Sequence, residues 1–525
     1  MEQRRFLSCL LGSLVISLSL SACGGASPGS AGSAPVDAVS GAPAPDYARE
    51  SAAAAPTIAA APDVASEAPL AAEPTAPAPI LANPMVDTTQ DALSTFALDV
   101  DTASYSAARG YLERGQVPPS ELIRTEEFIN YFNYDYPQPT NGVFGINIDA
   151  ANSPWHGDNT KLLRIGIQGQ EIDASQRQPA HLTFVIDVSG SMRESNRLPL
   201  VRQSLNLLVE ELREGDTVAI VTYGNDARVL LQPTSIAERD TILNAINRLE
   251  TGGSTNAEAG LRLAYELAGD SFENNAINRI ILCSDGVANV GATDPESILR
   301  VINDYVKQGI YLSTIGFGMG DYNDQMMEQL ANDGNGNYAY VDDIDEAKRV
   351  FVENLTGMLQ VIAKDAKVQV EFNPEVVSSY RLLGYENRAI ADQDFRNDSV
   401  DAGEIGAGHN VTAIYEVVLT GQGEGQAVKV NLRWEDPASA EISEIDQGFE
   451  SSAISDDFAS MPPRFQQAIA VAALAEMLRN NPSYPFEPSI AILERITPEL
   501  GNDKELQELF GLLVALEDHM LPEGN

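Results

Sequence analysis

The sequence predicts an α/β protein. Its centre is a doubly wound, mostly parallel sheet, flanked by a β-rich, sandwich-like domain and closed by carboxyl-terminal helices. Three observations carry this. Between residues 181 and 363 short apolar runs alternate with amphipathic stretches, the pattern of strand–helix–strand units. On both sides of that region lie spaced, strand-like segments separated by turn residues. After Pro462 the apolar residues recur at helical spacing, which predicts packed helices.

Within the central region the first strand is "HLTFVID", from His181 to Asp187, apolar enough to be buried on both faces. An amphipathic helix follows, with Pro199 in its first turn and Leu198, Val201, Leu205, Leu208, Val209 and Leu212 at helical spacing. "TVAIVTYG" and "ARVLLQP" lie close enough to form a hairpin, which places an antiparallel strand at one edge. Helix, strand and loop then alternate: residues 236–249, the Thr255 loop, residues 257–267, "INRIILCSD", residues 295–306 and "IYLSTIGFG". A helix near Gln325, "NYAYVDD" and one long helix over residues 344–362 complete the region.

Three loops concentrate oxygen-bearing side chains. Asp187, Ser189 and Ser191 stand at alternate positions after the first strand, with Gly190 allowing a sharp turn. Thr255 sits in a Gly/Ser loop just before a helix, and a second buried strand ends in Asp285. In an open parallel sheet such loops converge where the strand carboxyl ends splay apart. Oxygen ligands on tight loops suit a hard divalent cation such as Mg2+ or Mn2+.

These segments resemble the von Willebrand factor type A domain and its metal-ion-dependent adhesion site; all five side chains occur in order, in the matching strand and loop contexts. The resemblance implies that Ser189 and Ser191 coordinate the cation directly. Thr255, Asp187 and Asp285 would complete the shell directly or through water. The partner it implies is a protein presenting an Asp or Glu carboxylate to the open position. Occupation can shift the last helix of such domains, which makes residues 344–362 the candidate mobile element here. The flanks are also similar to segments of a bacterial lipoprotein family: "FALDVDTASYSAARGYL", "EEFINYF", "GFGMGDYND" and "AGEIGAGHNVTAIYEV". That family places an A domain between a dedicated amino-terminal segment and a carboxyl-terminal domain of unknown function.

The amino terminus reads as an export signal. Arg4 and Arg5 precede an apolar run too short and too serine-rich for a membrane span, and "LSAC" follows. "LSAC" resembles the bacterial lipoprotein box, which would make Cys23 the lipidated first residue of the mature chain. Residues 24–87 are dominated by Ala, Pro, Ser and Gly, and cannot bury enough surface to offset ordering entropy. They predict a tether reaching between about 45 Å as a coil and about 200 Å as polyproline. The expected organisation is a signal peptide over 1–22, a tether over 23–88, an amino-terminal flanking segment over 89–180, the A domain over 181–363 and a β-rich domain with terminal helices over 364–525.

In the amino-terminal flank, Phe96, Leu98 and Val100 alternate as a strand, and Asp101 or Thr102 can cap the helix that follows. Pro118 and Pro119 open a second helix carrying Leu122, Phe128, Ile129 and Phe132, and "VFGINIDAA" and "KLLRIGIQGQ" read as strands. Too few strands precede the central region to close a sandwich, so "AKVQVEFNP", "VSSYRLLGY", "NVTAIYEVVLT" and "AVKVNLRW" are expected to supply the rest. Residues 435–460, acidic and turn-rich, read as a loop. Helices beginning at Pro462 or Pro463 and carrying Leu506, Leu509, Phe510, Leu513 and Leu516 end the chain.

Charge and motif content exclude several functions. A formal net charge of -43 over 525 residues argues against nucleic acid or an anionic lipid surface as partner. No nucleophile-elbow context surrounds a Ser or Cys, and the four histidines (His156, His181, His409, His519) are scattered. His409 reads as structural, and Cys283 as a small buried core residue. "GFGMGD" lies too late for a nucleotide fingerprint, and "NDGNGNY" lacks the acidic twelfth residue of a calcium loop. The expectation is a non-enzymatic, cation-dependent adhesion or scaffold module on the bacterial envelope. An assembly or regulatory subunit of an envelope enzyme complex is the alternative.

Overall fold

The structure, a computed structural model, describes residues 82–98, 101–157, 159–286, 303–318, 324–479, 481, 484, 486–501 and 503–520. Cys23, the signal and tether segments, Val100 and most of the expected helix over residues 295–306 lie outside the described residues.

The central sheet has six strands in the order Tyr338–Val341, Ile310–Phe317, Ile277–Ser284, Ala180–Asp187, Thr217–Tyr223 and Ala227–Ser235. The first five run parallel; Ala227–Ser235 is the antiparallel edge strand of the hairpin. Side chains alternate across it as strand geometry requires. Leu182, Phe184 and Ile186 pack with the helices Leu198–Glu211 and Arg239–Asn247. Val185, Ile280 and Leu282 face the helices Ala257–Asp270 and Asp324–Asp333 on the other side. Ala180–Asp187 lies between Ile277–Ser284 and Thr217–Tyr223, so the chain reverses its winding beside Asp187. Ligands collect at such a point in open α/β sheets.

Two antiparallel sheets make the flanking sandwich. One orders Val86–Asp87, Val377–Leu383, Asn410–Leu419, Thr160–Gly169 and Phe144–Asn152. The other orders Gly403–Gly406, Val361–Phe372, Gln426–Glu435 and Ile442–Glu450, with Leu93–Ala97 also paired to Val361–Phe372. Both sheets therefore mix strands from before and after the central domain, and one apolar core lies between them, with Phe96, Ile165, Val370, Tyr415 and Leu432 among its buried residues. A helical layer covers the remainder. The helix Pro463–Leu478 is buried almost all round and packs on Thr125–Asn130 and Phe486–Ile496. Such all-round apolarity marks a core helix rather than a surface one.

Five local expectations are corrected. Residues 435–460 are not simply a loop: Ile442–Glu450 pairs with Gln426–Glu435 as an exposed, acidic edge strand. Charge on its open side blunts it against pairing with other chains. The long helix over residues 344–362 is three short pieces. A helix Ile344–Lys348 passes into a wide π turn over Arg349–Glu353, and Leu355–Leu359 closes the segment. The Asn354 N–H reaches back to Arg349 O, five residues earlier, and Val361 already belongs to a strand.

The second flanking helix is likewise split. Ser120–Leu122 is a short 3-10 turn, Ile123 and Arg124 are extended, and the helix proper is Thr125–Asn130, so Phe132 lies beyond it. Neither Asp101 nor Thr102 caps the helix Ala103–Glu113. The Glu127 carboxylate accepts from Ser104 N at 2.7 Å instead, while Asp101 accepts from Tyr338 N at 2.8 Å and joins that helix to the last strand of the central sheet. Finally, Phe486–Ile496 is a helix that periodicity did not single out.

Candidate metal centre

Asp187 ends a strand and is fully buried. Its Oδ1 accepts the N–H of Ser189 at 2.8 Å and its Oδ2 accepts the Ser284 hydroxyl at 3.1 Å. The first bond draws the chain round the carboxylate and sets the direction of the loop. Ser189 is buried and Ser191 exposed, and their hydroxyls meet at 2.9 Å, one of them donating to the other. A short 3-10 turn over Gly190–Arg193 places both hydroxyls on one side.

The Thr255 loop is laced to this turn through the backbone. Gly190 N donates to Gly253 O at 3.0 Å, and Gly252 N donates to Val188 O at 2.6 Å. Gly253 has a φ of +96°, a conformation open chiefly to glycine. Nearby, a Cβ on Gly224 would meet Gly252 O at 2.9 Å, so that glycine keeps the two loops in contact. Ser254 donates from both its N–H and its hydroxyl to Asn225 Oδ1, at 2.8 and 2.9 Å. Asn256 caps the helix Ala257–Asp270 by accepting from Ala259 N. Thr255, between these two anchors, is buried.

Asp285 follows the neighbouring strand and is also buried. Its Oδ2 accepts from Arg197 Nη1 at 2.9 Å, and its Oδ1 is buried without a hydrogen-bond partner. Burial, and after it the nearby Asp285 charge, pushes the Asp187 carboxyl up to about 6, against the bonds from Ser189 and Ser284, which lower it. The structure thus brings Asp187, Ser189, Ser191, Thr255 and Asp285 to one corner of the sheet. Among the described residues no three His, Cys, Asp or Glu side chains cluster so as to hold a metal ion, so any cation here would rely on hydroxyls with two carboxylates.

That donor set fits a hard divalent cation. The orphaned Asp285 Oδ1 and two crowded carboxylates are what a cation would relieve.

Sequence reasoning missed three contributors. Ser284 bonds Asp187, Asn225 braces the Thr255 loop, and Arg197 pairs with Asp285. Only Ser284, adjacent to Asp285, carried a positional signal. Elsewhere, Cys283 is fully buried and burial pushes its thiol well above the ordinary range. Burial likewise lowers His409 to about 4, leaving a neutral ring wedged where Gly357 and Gly406 leave room.

Comparison with known proteins bears on the fold of the central region. Residues 181–354 match the von Willebrand factor type A domain, residues 77–164 a family described as von Willebrand factor, and residues 357–428 the C-terminal family of the uncharacterized protein YfbK. YfbK of Escherichia coli (strain K12), itself uncharacterized, is 43% identical over 348 residues, 65% of this chain and 60% of its own length. Inter-alpha-trypsin inhibitor heavy chain H1 of Sus scrofa is 28% identical over 201 residues, 36% of this chain and 22% of that one. Among solved structures, a von Willebrand factor type A protein from Catenulispora acidiphila is 16% identical, with a TM-score of 0.41, and covers 74% of this chain and 91% of its own.

Proposed function

The central unit being a von Willebrand factor type A domain joined to a YfbK-type carboxyl-terminal domain, we propose that this chain is a non-enzymatic, divalent-cation-dependent protein-binding module. It serves adhesion or scaffolding at a bacterial envelope, held there by lipid on Cys23. Mg2+ or Mn2+ would be held by Asp187, Ser189, Ser191, Thr255 and Asp285. The observation that carries this reading is the buried, unpartnered Asp285 Oδ1 beside the paired hydroxyls of Ser189 and Ser191.

When bound, the ion supplies an open coordination position for an anionic oxygen. The chain's own residues do the rest. Neutral hydroxyls nearest that position keep the site electron-poor, so a carboxylate on a partner protein is attracted. The Asp187–Ser189 bond and the backbone ties between the loops hold the hydroxyls in place, so little ordering entropy is lost on binding.

The test is capture from envelope extract with Mg2+ present, with EDTA, and with Asp187→Ala, alongside direct Mn2+ titration. Capture and Mn2+ binding lost together in the last two arms would support the reading; equal capture in all three would remove it. For the anchor, Cys23→Ser should release the protein from membranes. Retention of that variant with its leader cleaved would refute lipidation.

A further inference from the structure

The inference drawn here rests on that cation site and adds a residue to it. We infer that Arg197 is a resident positive charge, built in beside the site, that weakens divalent-cation binding and tunes the loaded site toward anionic partners. Its Nη1 donates to Asp285 Oδ2 at 2.9 Å and to Ser191 O at 2.8 Å, so one guanidinium group touches two of the three loops. The side chain is only 12% exposed. Its seat is specific. Gly318, with a φ of +82°, leaves the space the guanidinium stem fills: a Cβ there would lie 2.4 Å from Arg197 Nε and 2.5 Å from its Cγ. Tyr340, from the neighbouring strand, donates its hydroxyl to Gly318 O and fixes that wall.

Two consequences follow from charge alone. The two carboxylates of the site would just neutralise a divalent cation, and the fixed guanidinium adds a unit of positive charge beside it. Among the described residues, the other carboxylate paired with Arg197, Glu194, is 65% exposed and lies at 3.8 Å, where water screens most of its effect. The same positive charge repels the incoming cation and occupies one Asp285 oxygen, leaving Oδ1 for the ion. Arg197 therefore trades cation affinity for anion affinity, and acts as a specificity-determining and positioning residue.

The experiment is Mn2+ titration of the full chain, followed by electron paramagnetic resonance, for the wild type, Arg197→Gln and Arg197→Lys. Arg197→Gln should bind Mn2+ about tenfold more tightly, the scale of one nearby charge in a partly buried site. Arg197→Lys, which keeps the charge, should stay near the wild type. With Mn2+ loaded, acetate as the simplest carboxylate should bind Arg197→Gln several-fold more weakly, read by water proton relaxation. If Arg197→Gln does not fold, Arg197→Met, which keeps the apolar stem against Gly318, takes its place. Mn2+ binding equal to or weaker than wild type in the neutral variant overturns the role of Arg197 and leaves the cation site standing. Absence of Mn2+ binding by the wild type removes both.

Discussion

Of the buried clusters of charge in this molecule, two are built on opposite principles. At the corner of the central sheet, Asp187 and Asp285 face hydroxyls and a single guanidinium, and one carboxylate oxygen is left without a partner. Around Arg109, acid and base close on each other. Its guanidinium bonds both oxygens of Asp342, at 2.5 and 3.0 Å, and reaches Glu346 at 3.0 Å, Glu508 at 3.2 Å and the Tyr131 hydroxyl at 2.8 Å. Arg349 continues the network by bonding Glu346 and stacking over Tyr131 at 3.7 Å, with Glu505 3.5 Å away. The first cluster keeps capacity for something outside the chain. The second uses its capacity to join the helix Ala103–Glu113, the segment over residues 344–353 of the central domain and the carboxyl-terminal helix Lys504–Met520.

That contrast can be broken at either end, and the largest effect belongs to the closed cluster. Arg109→Ala takes the bidentate partner from buried Asp342 and one of several partners from Glu346, and urea unfolding should show a loss of about 3–5 kcal/mol, the usual penalty for removing one partner of a buried ion pair. Mn2+ binding by the folded fraction should be unchanged.

Asp187→Asn should do the reverse. Mn2+ affinity should fall on the order of a hundredfold, while stability in EDTA at pH 7.5 holds or rises. The sign follows from the carboxyl, pushed up to about 6 from an ordinary 3.8. Its contribution to stability is complete below the lower value and lost as pH rises through the upper, so the ionised group is a cost at pH 7.5. Chelator-treated unfolding curves check this.

A third variant sharpens the comparison in a place with no proposed ligand. Burial, with the nearby Glu386 charge, pushes Glu126 up to about 7. The wild type should therefore lose on the order of 2 kcal/mol of stability between pH 5 and pH 8 from this group, and Glu126→Gln should flatten that slope. Parallel urea titrations at the two pH values measure it. The smallest effect is expected of Asp333→Ala, at the carboxyl end of the helix Asp324–Asp333, which should bind Mn2+ like the wild type.

The parallel strands were legible because burial on both faces writes itself as an apolar run: His181 to Asp187 in the sequence is Ala180–Asp187 in the structure. The positions of Asp187 and Asp285 at the ends of such strands were legible for the same reason. Ile442–Glu450 was not, since an exposed edge strand with Glu444, Asp446 and Glu450 has neither an apolar run nor clean alternation. The break near Asn354 was hidden because Val350, Phe351, Leu355 and Met358 keep a helical apolar stripe straight across it. Arg197 could not be found from spacing. Nothing near it in sequence distinguishes it from Arg193, and its role depends on room left by Gly318, far along the chain.

The shared sheets of the sandwich also define a load path. The chain enters the central domain near Gln178 and leaves it near Gln360, and these two residues bond each other, Gln178 N donating to Gln360 Oε1 at 3.0 Å. A pull arriving from the amino-terminal side meets the pairing of Val86–Asp87 with Val377–Leu383 and of Leu93–Ala97 with Val361–Phe372 before it reaches the central sheet. Force entering from the amino-terminal side is thus delivered to two adjoining connections at one pole of the central domain. The central domain therefore hangs from the sandwich by both of its chain ends.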